Sequence, residues 1–315
     1  MADGTLEGAL GVYRGELAAL ATAFCWTLSA LAFTAAARRL GSVVLNLIRL
    51  LMAFVLLSVY GWAARGLPLP SDATAHNWFW LSLSGFVGFA LGDLCLFRSL
   101  VLLGPRLTTL LMALAPPIAA IVGWLWLGEG MSVRGVAGMA MTVAGVAWVV
   151  LERRVPTAGR APGALGPPQS VSVAGVLLGL GGAVGQAVGL VLSKLGKAGY
   201  DAFAGTQIRI IAAAVGFAVL LTALRAWPRF LAALRHPGGM GYAALGSAFG
   251  PALGVALSLV AVEYARVGVA ATLMAIVPVL IIPFVVLVYR EKVSLRAVAG
   301  AALAVAGIAL LFLRS

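Results

Sequence analysis

The sequence predicts an all-α integral membrane protein with ten transmembrane helices, arranged as two inverted five-helix repeats. Three observations predict it: ten apolar runs of membrane-spanning length, a polar linker that divides them five and five, and residues that recur at a fixed offset across that linker. Composition sets the class. Of 315 residues, 10% are charged and 62% are hydrophobic; the charged share in a typical soluble domain is about 25%. The mean hydropathy is +1.06. So few polar groups cannot cover a soluble surface, and a disordered chain is excluded as well. At about 20 apolar residues per crossing, ten helices take roughly 200 residues. The remainder suffices for short loops and one linker.

The N-terminal tail, 1–15, has no basic stretch before the first apolar run and no small-residue cleavage site, so that run is expected to insert and stay. The spans of the first repeat, 16–151, are 16–37, 42–63, 79–102, 105–127 and 132–151. Trp62, Trp78, Trp80, Trp124 and Trp126 fall at their ends, as interface anchors do. The linker, 152–171, is rich in Pro, Gly and Arg. The spans of the second repeat, 172–313, are 172–194, 202–224, 240–265, 267–289 and 294–313. The runs are continuous rather than alternating, which points to helices and not to barrel strands. The 39 glycines suit close helix packing in lipid.

The repeat is read at two offsets. At 162, Gly88-Phe-Ala-Leu-Gly92 matches Gly250-Pro-Ala-Leu-Gly254, and Leu111-Met-Ala-x-x-Pro116 matches Leu273-Met-Ala-x-x-Pro278. Glu129-x-x-Ser132-x-Arg134-x-Val136-x-Gly138 likewise matches Glu291-x-x-Ser294-x-Arg296-x-Val298-x-Gly300. At 160, Asn46-x-x-Arg49 aligns with Thr206-x-x-Arg209, and Trp26 with Gln186. Matches of Ala, Leu and Val come easily in apolar sequence; matches of Pro, Glu, Arg and Gly at one offset do not. Five crossings per repeat make the second repeat enter from the opposite side, the design of many secondary transporters, whose site lies at midplane between the repeats.

These motifs resemble the drug/metabolite transporter superfamily, specifically its EamA-type family of two five-helix repeats, over residues 15–313. The residues that carry the resemblance are the mid-span Pro116 and Pro278, the span-ending Gly128-Glu129 and Arg290-Glu291, the Gly-rich fifth and tenth spans, and the Arg49 and Arg209 pair. The one departure is Arg290 where the first repeat has Gly128. The resemblance implies a secondary transporter, an exporter of small metabolites such as amino acids, working by alternating access in the cytoplasmic (inner) membrane.

Asp93 lies well inside the third span. An intramembrane acid is a functional candidate: it binds a cationic group or carries a proton, or else it is the structural partner of Arg98 or of an Arg on another helix. Arg49 and Arg209, about two turns into their spans, bind a substrate carboxylate or phosphate, or snorkel to the interface. Trp26 and Gln186 occupy equivalent positions, where stacking and hydrogen bonding would serve a midplane cavity. Pro116 and Pro278 interrupt helices at depth and, with Gly92 and Gly254, are candidates for gating; the glycines equally read as close helix contacts. Cys25 and Cys95 read as small buried hydrophobes, and His76 and His236 as solvated loop residues.

The net charge of +12 is scattered between apolar runs, which suits anionic lipid headgroups and no nucleic acid. No phosphate loop, H-E-x-x-H or G-x-S-x-G occurs, so neither an ATPase nor an intramembrane enzyme is expected, and no cofactor or metal. The partners expected are a small-molecule substrate and membrane lipids, with a homodimer left open. A channel or a non-transporting scaffold is the alternative function. The side opposite the termini holds 12 Lys and Arg against 7 on the side of the termini. That count favours termini outside, whereas the family resemblance suggests termini inside.

Overall fold

The computed structural model describes residues 13–128, 132–151, 172–197, 199–264, 273–290 and 293–312. Most of the N-terminal tail, the whole linker 152–171, and Glu129 and Glu291 lie outside the described residues. The first half folds as α1 (Arg14–Leu40), α2 (Ser42–Arg65), α3 (Ala75–Leu103), α4 (Pro105–Met112, then a turn, then Ala115–Leu127) and α5 (Val133–Leu151). The second half folds as α6 (Val173–Lys197), α7 (Ala202–Ala223), a short α8 (Trp227–Leu234), α9, α10 (Val277–Tyr289) and α11 (Leu295–Phe312). Helix α9 is continuous through Pro237–Ser247, Ala248–Gly254 and Val255–Tyr264. No strand occurs among the described residues.

Among the described residues, seven helices, α1 to α7, are long and apolar enough to cross a membrane. The last three of the ten expected spans, 240–265, 267–289 and 294–313, each include residues outside the described ones. Two boundaries differ. Helix α3 starts at Ala75, four residues before the expected span, because Thr74 and Asn77 form a reciprocal capping box there. Helix α8 was not foreseen; it buries Phe230 and Ala233 while Leu231 and Leu234 stay exposed.

The helices face lipid with large side chains and one another with small ones. Phe79, Leu125 and Trp126 are each 63% exposed, whereas Ala19, Ala23 and Ala36 are fully buried. Thr22, Thr27 and Thr34 are buried too, and each hydroxyl donates to the carbonyl four residues back, so none of the three is left unpaired inside the bundle. Helix α4 ends on Gly128 in the left-handed region (φ 64°), and α10 ends on Arg290 in the same region (φ 51°). The residue that departs from the repeat thus builds the same C-cap as its glycine counterpart, against the steric cost of a Cβ there.

Packing between the halves is reciprocal. Helix α6 lies antiparallel to α3: Asn77 Nδ2 donates to the Gly196 carbonyl (2.7 Å) at one end, and Ser99 Oγ to the Gly175 carbonyl (3.0 Å) at the other. Helix α9 lies antiparallel to α1 in the same way, with Leu40 against Gly239 at one end and Ala18 and Ala19 against Ala261 at the other. Ser84 Oγ of α3 donates to the Gly189 carbonyl of α6 (2.5 Å), and Ser29 Oγ of α1 donates to the Gly246 carbonyl of α9 (2.9 Å). These are the same two crossings at offsets of 162 and 160, with donor and acceptor exchanged. Helices α5 and α11 pack glycine to backbone: a Cβ on Gly145 would come 2.6 Å from the Ala304 nitrogen, and one on Gly307 would come 2.5 Å from that of Thr142.

Candidate functional site

Helix α3 reaches the site through a π-helical turn, Phe86–Gly92, and α9 carries the matching turn, Ala248–Gly254. Such turns insert an extra residue, widen the helix and recur at functional sites. Gly92 lets α6 approach: a Cβ on Gly185 would come 2.6 Å from the Gly92 Cα. Asp93 follows directly and is 3% exposed. Its Oδ2 is ion-paired with Arg49 Nη2, and its Oδ1 accepts from Gln186 Nε2 at 2.7 Å. Arg49 is held from its own helix, where Nε donates to Asn46 Oδ1 (2.9 Å) one turn away. The Asn46 amide donates in turn to the Ser42 carbonyl (2.9 Å) and the Asp93 carbonyl (3.4 Å). The Arg49 guanidinium also stacks over Phe97, 4.7 Å from the ring centroid.

Arg209 of α7 reaches α3 from the other side. Its guanidinium lies 4.1 Å from the centroid of the Phe89 ring, and its buried Nε has no hydrogen-bond partner among the described residues. It interacts electrostatically with Asp93, and it forms no ion pair among the described residues. Four of the five residues expected from the sequence to bind or couple are therefore near neighbours: Arg49, Asp93, Gln186 and Arg209. Trp26 sits elsewhere. Its indole packs on the π-helical turn of α9, where a Cβ on Gly254 would come 2.6 Å from Nε1. Trp26 and Gln186 thus occupy equivalent seats, each on the π-helical turn of the opposite half.

The reading of Asp93 as a partner of Arg98 is corrected: Arg98 is exposed, and five residues along a helix place it about 140° away from Asp93. The partner is the Arg of another helix, Arg49. Pro116 and Pro278 stand in the first turn of the helical segments that restart at Ala115 and Val277, so the interruption is the turn before each proline and not a kink at it. His76 and His236 are both exposed, as expected of solvated residues. His76 stands in the first turn of α3 rather than in a loop, with Nε2 3.1 Å from the Leu195 carbonyl, and His236, between α8 and α9, accepts from the Gly239 N–H on Nδ1 (2.9 Å) and caps α9. Asn46, Phe89 and Phe97 were missed as site residues. The spacing Phe89, Asp93, Phe97 puts all three on one helical face, a signal present in the sequence.

A second polar cluster stands outside the helices. Tyr200, between α6 and α7, donates its hydroxyl to Asp72 Oδ1 (2.7 Å), and Asp72 Oδ2 pairs with Arg65 at the end of α2. Arg65 Nη1 lies 4.0 Å from Asp201. The bond from Tyr200, the largest cause among several, holds the Asp72 carboxyl below its ordinary range. Burial, and then the bond to Asp72, push the Tyr200 hydroxyl up to about 12. This cluster ties the α2–α3 connection to the α6–α7 connection at one end of the bundle. Among the described residues, no three His, Cys, Asp or Glu side chains gather as metal ligands would.

Comparison with curated proteins gives no match. Among 16 matching chains of solved structures, one crystal structure superposes with a TM-score of 0.57 at 20% identity, over 94% of this chain and 96% of the other. At that identity the likeness concerns the fold alone. The profile of the EamA-like transporter family matches residues 13–151 and, a second time, residues 173–313. With one family matched on each side of the linker and seven helices among the described residues fit to span a membrane, the chain belongs to the EamA-like transporter family, multi-pass membrane transporters of small molecules.

Proposed function

We propose that the protein is a secondary transporter that exports small metabolites such as amino acids across the cytoplasmic (inner) membrane by alternating access. The observation that supports this reading is the antiparallel course of the first helices of the two halves. Helix α1 runs toward the α1–α2 connection and ends at Leu40, whereas α6 ends at the opposite end of the bundle, beside Asp72 and Tyr200. The first helices of the halves therefore run antiparallel, and the crossings α3–α6 and α9–α1 repeat one contact pattern. Two inverted five-helix repeats account for both facts, and they supply equivalent gates at the two faces.

In this reading Asp93, Arg49, Arg209, Gln186 and Trp26 serve substrate binding or coupling at the seam between halves. The turns before Pro116 and Pro278, with the close contacts at Gly92 and Gly254, serve gating. Charged groups at such depth are sustained only by pairing or by a polar path. Purified protein in proteoliposomes, tested against a panel of amino acids and other small metabolites, is expected to show saturable flux with counterflow. Non-saturating flux would indicate a channel, and absence of flux across the panel would defeat the reading.

A further inference from the structure

The two arginines that the repeat makes equivalent are not equally provided for. Arg49 has a carboxylate, Asp93, and an amide, Asn46, on its Nε. The repeat equivalent of Asp93 is Val255, and that of Asn46 is Thr206. Thr206 turns its hydroxyl back to the Ala202 carbonyl of its own helix (2.8 Å). Arg209 accordingly has a buried Nε without a partner and an aromatic face beneath its guanidinium. The single acid of the cluster is engaged by Arg49 through one oxygen and by Gln186 through the other.

Two guanidiniums against one carboxylate leave a positive charge inside the membrane-spanning bundle. An unpaired charge at such depth is unfavourable, and a guanidinium fork matches the geometry of a planar anion. The aromatic ring of Phe89 holds the fork flat without neutralising it.

We propose that Arg209 is the seat for the anionic group of the substrate, a small organic carboxylate, which completes in the second half the ion pair that Asp93 completes in the first. Asp93 then acts as an internal counter-ion that leaves one arginine, not two, for substrate. This proposal rests on the transport reading and gives it a substrate class. It also assigns Asp93 away from a cationic substrate, since both of its oxygens are occupied.

The test is flux by the full chain in proteoliposomes with three matched probes: phenylalanine, phenylalaninamide and phenethylamine, and the corresponding leucine series. Carboxylates are expected to be carried about tenfold or more better than their amides and amines, the magnitude of a charge-assisted bidentate bond. Arg209→Gln should remove that preference. Arg209→Lys keeps the charge without the fork, and should keep the preference with a raised KM. Amides or amines carried as well as carboxylates, an unchanged preference in Arg209→Gln, or an unchanged KM in Arg209→Lys would overturn the proposal while transport stands. No flux with any probe or with the wider metabolite panel would defeat the transport reading, and this proposal with it. Size-exclusion profiles and thermal stability identify a misfolded variant. Should Arg209→Gln misfold, the KM of Arg209→Lys decides.

Discussion

The charge balance around Asp93 turns on single atoms. Asp93→Asn removes the partner of Arg49 and is expected to destabilise the protein by about 3 kcal/mol, the scale for breaking one side of a buried pair. Arg49→Gln should do the same. The double variant Asp93→Asn/Arg49→Gln should recover much of the loss, which thermal denaturation in a double-mutant cycle would measure. Pairing Asp93→Asn with Arg98→Gln should recover nothing, because Arg98 is exposed and on another face of α3. Arg290 offers the opposite case. Its left-handed conformation (φ 51°) strains an L-residue, so Arg290→Gly is expected to stabilise by about 1 kcal/mol. The matching change in the first half is already present as Gly128.

At the scale of elements, two of the joints between the halves hold by different physics. The α5–α11 joint is tight, built on glycines against the facing backbone. A Cβ on Gly307 would meet the Thr142 backbone and side chain at 2.5 Å, and neither can withdraw from a packed helix. Gly307→Val is therefore expected to weaken the fold, seen as a lowered melting temperature and a loss of monodisperse protein. The joint at Asp72 and Tyr200 is polar and lies outside the helices. Tyr200 ionises at about 12 in the folded chain, above its ordinary value of about 10. Its contribution is thus complete below about pH 10 and is lost as pH rises through about 12. Asp72 is shifted down, so its contribution is present above the ordinary carboxylate range and is lost only as pH falls through its lowered value. The joint should hold across the neutral range. In an alkaline ultraviolet titration, Asp72→Asn should lower the last phenolate transition, and Tyr200→Phe should abolish it.

At the scale of the whole molecule, the positions equivalent to the polar joint are apolar at the opposite end. The repeat equivalents of Tyr200 and Asp72 are Leu40 and Leu234, and Leu40 packs there on Gly239. The proposed alternating access would open both ends in turn, and the end held by Asp72 and Tyr200 should then open with the greater dependence on salt. Cysteines placed at Asp72 and Tyr200 and joined by a short bismaleimide should stop flux. The same pair, labelled singly, should react with impermeant maleimide from one side only.

The sequence by itself determined the class, the register of the repeat and the candidate charges. Hydropathy is a sum over local residues, so continuous runs such as 42–63 and 202–224 identify helices without knowledge of their neighbours. Fixed offsets paired Arg49 with Arg209 and Gly128 with Arg290 for the same reason. The sequence could not decide partners. Arg98 lies closest to Asp93 along the chain, yet Arg49, 44 positions away, forms the ion pair, because helical phase turns Arg98 outward and packing brings α2 to α3. Trp26 and Gln186 share a register, and only the packing of α1 on α9 and of α6 on α3 assigned each to its own π-helical turn. Those turns were equally illegible, since a single inserted residue leaves hydropathy unchanged. The unequal surroundings of two equivalent arginines likewise emerged only when tertiary structure gave an acid to one and left the other without.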